Sequence, residues 1–81
     1  MQESNPIIDR KIAAIRKIGR KDLSVGEVQA ILGYATPYPI VSDTGLIARH
    51  KIVAAKIGGQ WRIDAASFEV FISNSISVLP L

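Results

Sequence analysis

The stretch Lys56-Ile57-Gly58-Gly59-Gln60-Trp61-Arg62-Ile63 restricts the fold more than any other part of the chain. Two successive glycines supply the positive φ angles of a tight hairpin turn, and strand-forming residues flank them. The period of two along a strand predicts Ile57, Trp61 and Ile63 on one face and Lys56, Gln60 and Arg62 on the other. A small hairpin with a tryptophan anchor and a face of two cations and an amide suits contact with a polyanion. It equally suits a solvated hairpin whose Trp61 plugs the core, as many glycine-turn hairpins do.

With 81 residues the chain is expected to form one domain with a modest core and little surface for a deep cleft. A hydrophobic content of 48% favours a folded chain over a disordered one. Lys and Arg number 10 against 7 Asp and Glu, an excess that permits an anionic partner without requiring one. Cysteine is absent, which excludes disulfides and thiolate metal sites. No apolar run is long enough to span a bilayer. The first residues lack the basic-then-apolar pattern of a signal peptide, so a cytoplasmic protein without a membrane partner is expected.

Residues 5 to 19 read as a helix, with Asn5 as cap, Pro6 in the first turn and Gly19 as stop. Ile7, Ile8, Ile12, Ile15 and Ile18 fall on one side, and Asp9, Arg10, Arg16, Lys17 and Arg20 on the other. This basic face suits DNA or another acidic surface, or is simply the solvated side of an amphipathic helix. A second helix is expected over 24–32, because Ser24 and Glu27 have the capping-box spacing and Gly33 is a natural terminator. Leu23 occupies the staple position before it. Pro37 and Pro39 make residues 34–41 a rigid connector and push Thr36 and Tyr38 toward extended backbone. Tyr34 and Tyr38 can stack on a base or pack beneath the loop. Ser42 caps an expected third helix over 43–50, whose first turn, Ser42 to Gly45, could hold a phosphate on its N–H groups. Arg49, His50 and Lys51 cluster at its end. Asp64 caps a fourth helix over 65–73, and the tail beyond it is left to pair with an edge or bind a partner. The expected core is Ile12, Ile15, Val28, Ile31, Leu32, Leu46, Ile47, Trp61, Ile63, Phe68 and Phe71.

Catalysis finds no foothold. The one histidine, His50, has no spacing to Asp43, Asp64 or a serine that selects a triad. Phosphate-loop and metal-ligand patterns are missing, so neither an enzyme nor a cofactor is expected.

The blocks Leu23-Ser24-Val25-x-Glu27-Val28-x-x-Ile31-Leu32-Gly33 and Lys56-Ile57-Gly58-Gly59-x-Trp61-Arg62-Ile63, with a short helix between and a capped helix after, resemble the excisionase and MerR-like winged helix-turn-helix family. The resemblance runs from about Leu23 to Ile72. It implies an α+β fold of about four helices and a two-stranded antiparallel wing: a basic amphipathic helix over 1–22, the winged domain over 23–73 and a tail over 74–81. It also implies a bacterial or phage protein that binds double-stranded DNA sequence-specifically. Such a protein acts as a small transcription regulator or a recombination directionality factor, as a homodimer or a cooperative assembly on nucleoid DNA. By position, 42–50 would be the recognition helix and 54–63 the wing. Ser42 and Thr44 would then meet base edges or phosphates, Arg49, His50 and Lys51 the backbone, and Lys56, Gln60 and Arg62 the DNA from the wing. The connector is longer than the family's, and Asp43 and Gly45 stand where the recognition helix begins. The alternative is a protein-interaction module on the same scaffold.

Overall fold

The computed structural model describes residues 6–74. In chain order they form α1 (Pro6–Ile18), β1 (Asp22–Ser24), α2 (Val25–Leu32), α3 (Tyr38–Val41), β2 (Ala54–Ile57), β3 (Gln60–Asp64) and α4 (Ala65–Asn74). The class is α+β: four helices and one antiparallel sheet of three strands in the order β1-β3-β2. The cap expected at Asn5 and the tail after Asn74 lie outside the described residues; Ser73 and Asn74 themselves belong to α4.

The sheet has three strands where two are expected from the sequence. In β1, Leu23 pairs with Ile63 and Ser24 with Arg62. A strand of three residues is too short to show a period, and its last residue doubles as the cap of α2. Leu23 is thus a fully buried strand residue that also keeps the expected staple position, directly before the Ser24 cap of α2 and in one core with Val28.

Local chemistry sets the helix ends. At α2, Ser24 Oγ accepts the Glu27 N–H at 3.1 Å and Glu27 Oε1 accepts the Ser24 N–H at 2.8 Å, the reciprocal capping box. Gly33, at φ 79°, closes the other end, and both its N–H and that of Tyr34 donate to Gln29 O. At α4, Asp64 Oδ2 accepts the Ser67 N–H at 2.8 Å. Ser67 Oγ in turn accepts the Val53 N–H at 3.0 Å, which fixes the approach to β2 against α4.

α1 lays Ile8 and Ile15 into the core, with Ile12 and Ile18 half-buried and Ile7 exposed. Its basic side makes two cross-links: Arg16 to Glu69 of α4 at 3.2 Å, and Lys11 Nζ to Ile31 O, in the last turn of α2, at 2.6 Å. Ile15, Leu23, Val28, Ile40, Ile63, Phe68 and Ile72 are fully buried. Of the expected core, Ile15, Val28, Leu46, Ile63 and Phe68 are buried. Ile12, Ile31, Leu32, Ile47, Trp61 and Phe71 pack only partly against it. Their places are taken by Ile8, Leu23, Ile40, Ile52, Ala65 and Ile72.

The largest departure lies between α2 and β2. Tyr38 opens α3 instead of being extended, because Pro39 sits in the first helical turn, where its missing N–H costs nothing. Ser42 ends α3 with extended backbone instead of starting a helix, and residues 42–52 are turns. The chain folds back on α3: Leu46 N–H donates to Pro39 O at 2.9 Å and Ile47 N–H to Ile40 O at 3.1 Å. Gly45 permits this approach. A Cβ there would lie 2.7 Å from Ile40 O and 2.8 Å from Pro39 O. Among the described residues, no helix is long and apolar enough to cross a membrane.

Candidate nucleic-acid interface

The fold-back ends in a single helical turn. Arg49 N–H donates to Gly45 O, His50 N–H to Ile47 O and Lys51 N–H to Leu46 O, at 3.0, 3.0 and 2.9 Å. The last two bonds are the Schellman pairing, in which the residue after the helix takes left-handed backbone. That residue is His50, at φ 57°, the one non-glycine residue with positive φ among the described residues. A glycine would be expected there, since left-handed backbone costs an L-residue about 1–2 kcal/mol. The turn holds Arg49, His50 and Lys51 exposed and close together. Among the described residues, no carboxylate pairs with Arg49 or Lys51.

The expected helix N-terminal phosphate site does not form. The N–H groups of Gly45, Leu46 and Ile47 already donate to Ser42 O, Pro39 O and Ile40 O. Ser42 is half-buried at the end of α3, and Thr44 stands exposed on the turn that follows.

The hairpin supplies a second set. Gly58 and Gly59 have φ of 58° and 80°, the positive pair of a type I′ turn. A two-residue turn pairs an odd position with an even one, so Ile57 faces Gln60 and Lys56 faces Trp61. Directly opposed residues share a sheet face. Lys56 therefore lies with Trp61, and Ile57 with Gln60 and Arg62, the reverse of the sequence expectation for these two residues. Lys56 Nζ sits 5.6 Å from the Trp61 ring centre, a cation–π contact that keeps the ammonium at the surface. Trp61 is half-buried beneath it, a supporting wall rather than a core plug.

Three arginines are already matched. Arg62 donates to Asp22 of β1, Arg20 to Glu27 and Arg16 to Glu69. Exposed pairs of this kind add at most about 1 kcal/mol to stability, but they neutralise the charge locally. Arg62 is thus a sheet cross-link, not a free contact of the hairpin. Glu27 is held below its ordinary pKa of 4.5, first by the Ser24 N–H bond and then by the Arg20 guanidinium. The carboxylate that caps α2 therefore also quenches a cation of the basic segment.

Beside the basic turn lies a groove of about 640 Å³, lined by Tyr34, Leu46, Val70 and Phe71 together with Arg49 and Lys51. Tyr34 is half-buried in it, whereas Tyr38 stands 68% exposed on α3. The groove is invisible in the sequence, because residues from three separate segments line it. The partnership of Asp22 with Arg62 is equally hidden, since it depends on β1. Among the described residues, no group of His, Asp and Glu could hold a metal ion.

These features define a small α+β domain with an exposed basic turn, a protruding hairpin and three internally quenched arginines. No family model matches the chain, and no curated protein or solved structure is similar enough to count as a match.

Proposed function

We infer that the domain binds duplex DNA without chemistry, using the basic turn 49–51 and the hairpin, as a small transcription regulator or recombination directionality factor. One observation carries this reading. Among the described residues, Arg49 and Lys51 stand on a hydrogen-bonded turn with no carboxylate partner, while Arg16, Arg20 and Arg62 are spent on carboxylates. A turn fixed by three backbone bonds presents its cations with little further ordering to lose on binding.

Lys56 adds an exposed cation on the hairpin, and Gln60 and Thr44 are exposed hydrogen-bonding groups near these cations in the chain. With no recognition helix formed at 42–50, base reading falls to such single side chains, and phosphate contact supplies most of the affinity. Engagement of Arg49, Lys51 and Lys56 gives a slope of log K against log salt of about −2.7.

The test is fluorescence anisotropy of a labelled random duplex titrated at several salt concentrations. The expected result is linear weakening near that slope. A chain that ignores duplex DNA even at low salt refutes the reading. The second reading, a protein-interaction module, draws on the groove beside the basic turn, where Val70 is 58% exposed on α4. It predicts a partner lost on Val70→Glu with no change in DNA binding.

A further inference from the structure

We propose that the outer edge of β2 pairs with the same edge of a second copy, joining two sheets across a two-fold axis. Among the described residues, the strand order β1-β3-β2 leaves one side of β2 without a strand neighbour. The register says which groups face that side. Asp64 N–H donates to Val53 O at 2.8 Å, so position 53 points its backbone inward, and by alternation so do 55 and 57. The N–H and C=O groups of Ala54 and Lys56 therefore point outward, unused by the sheet. Native edges are blunted with proline, bulges, very short strands or charged side chains, lysine especially. Residues 53–57 hold no proline and one lysine, and β2 pairs with β3 without a bulge.

A two-fold pairing centred on Ala55 fits these groups. Ala54 of one copy then opposes Lys56 of the other, and the two symmetric pairs exchange four backbone hydrogen bonds. On the solvent face, Val53 opposes Ile57 of the second copy, Ala55 opposes Ala55, and Ile57 opposes Val53. Val53 and Ile57 are each 64% exposed, and this register covers both. Cross-strand apolar pairs of this kind stabilise antiparallel sheets. The charges also fit. Each Lys56 faces an alanine rather than its own copy, and Arg62, on the opposite face with Ala55 and Ile57, is already neutralised by Asp22. The occupant is a second copy because the strip is complementary to itself about this axis, as an isologous interface requires.

The proposal is independent of DNA and is tested without it. Sedimentation equilibrium of the full chain, from micromolar to millimolar concentration, should show the mean mass rising from one chain toward two. Higher salt should favour the dimer, since each chain carries a net charge of +3, whereas salt weakens binding to DNA. Ile57→Lys, at an exposed site that leaves the core intact, should weaken self-association by about tenfold.

Register is read by cross-linking, with no native cysteine to interfere. Opposed non-hydrogen-bonded residues have Cα atoms about 4.5 Å apart, within disulfide range. Ala55→Cys should therefore oxidise readily to a covalent dimer and Lys56→Cys several-fold less. A chain monomeric at every concentration overturns the proposal and leaves the edge to a strand from another protein. Equal cross-linking at 55 and 56 overturns the register.

Discussion

Gly45→Ala should destabilise the domain although alanine is ordinarily the better residue outside left-handed backbone. The added methyl would stand 2.7 Å from Ile40 O, 2.8 Å from Ile40 C and 2.8 Å from Pro39 O. Such atoms sit comfortably at about 3.5 Å or more, so each contact is short by about 0.7 Å. All three belong to backbone, and no side chain can swing aside. Relief means pushing the fold-back off α3, which stretches the bonds from Leu46 N–H to Pro39 O and from Ile47 N–H to Ile40 O. Overpacking of this kind costs about 1–3 kcal/mol and two weakened buried hydrogen bonds add about 1. The lower entropy of the unfolded alanine chain returns about 0.4–1 kcal/mol. The net loss is about 2 kcal/mol, or about 10 °C in Tm for a domain of this size. Urea unfolding followed by far-UV circular dichroism measures it, with the slope m unchanged. Gly26→Ala is the internal control. The nearest atom to its Cβ is Ser24 Oγ at 3.9 Å, so the helix should gain about 0.5 kcal/mol. If Gly45→Ala costs under about 0.5 kcal/mol, the fold-back is not packed as described.

Three further perturbations separate other parts of the account. His50→Gly should stabilise the domain by about 0.5–1 kcal/mol in the same urea assay, since glycine carries no penalty at φ 57°; a loss would mean that the imidazole supports the turn. Phe68→Ala should cost about 3–5 kcal/mol because that ring is fully buried, and Trp61→Ala clearly less because the indole is half-buried; equal losses would place the indole in the core. Glu27 binds its proton more weakly folded than unfolded, so its contribution is present above about pH 4.5 and disappears as pH falls through the lowered folded pKa. Glu27→Gln should therefore lower stability at neutral pH and flatten the acid limb of the stability–pH curve; an unchanged acid limb would show that the capping box carries no such linkage.

What the sequence discloses follows from how local each determinant is. The ends of α2 and the start of α4 are legible because Ser24, Glu27, Gly33 and Asp64 act within a few residues of themselves. Gly58-Gly59 discloses the hairpin but not its faces. Facing depends on the two-residue turn, which puts Lys56 rather than Ile57 beside Trp61. β1 is illegible at three residues, and with it the ion pair that removes Arg62 from the free cations. Leu46, Ile47 and the basic run read as a helix over 43–50. The competing carbonyls of Pro39 and Ile40 come from α3, and only Gly45 hints at that close approach. The basic turn itself is visible as three adjacent residues, whereas the groove beside it assembles from Tyr34, Leu46, Val70 and Phe71.

The central claim is that the cations of the basic turn, rather than the arginines spent in ion pairs, make contact with duplex DNA. Salt-dependent anisotropy on one duplex, with Lys51→Ala and Arg62→Ala measured side by side, tests it most directly. Loss of a cation in contact with phosphate flattens the slope of log K against log salt by about 0.9. That flattening is expected for Lys51→Ala, and an unchanged slope for Arg62→Ala. A slope unaffected by Lys51→Ala and flattened by Arg62→Ala would contradict the claim, because the contact would then lie on the sheet face carrying the Arg62–Asp22 pair.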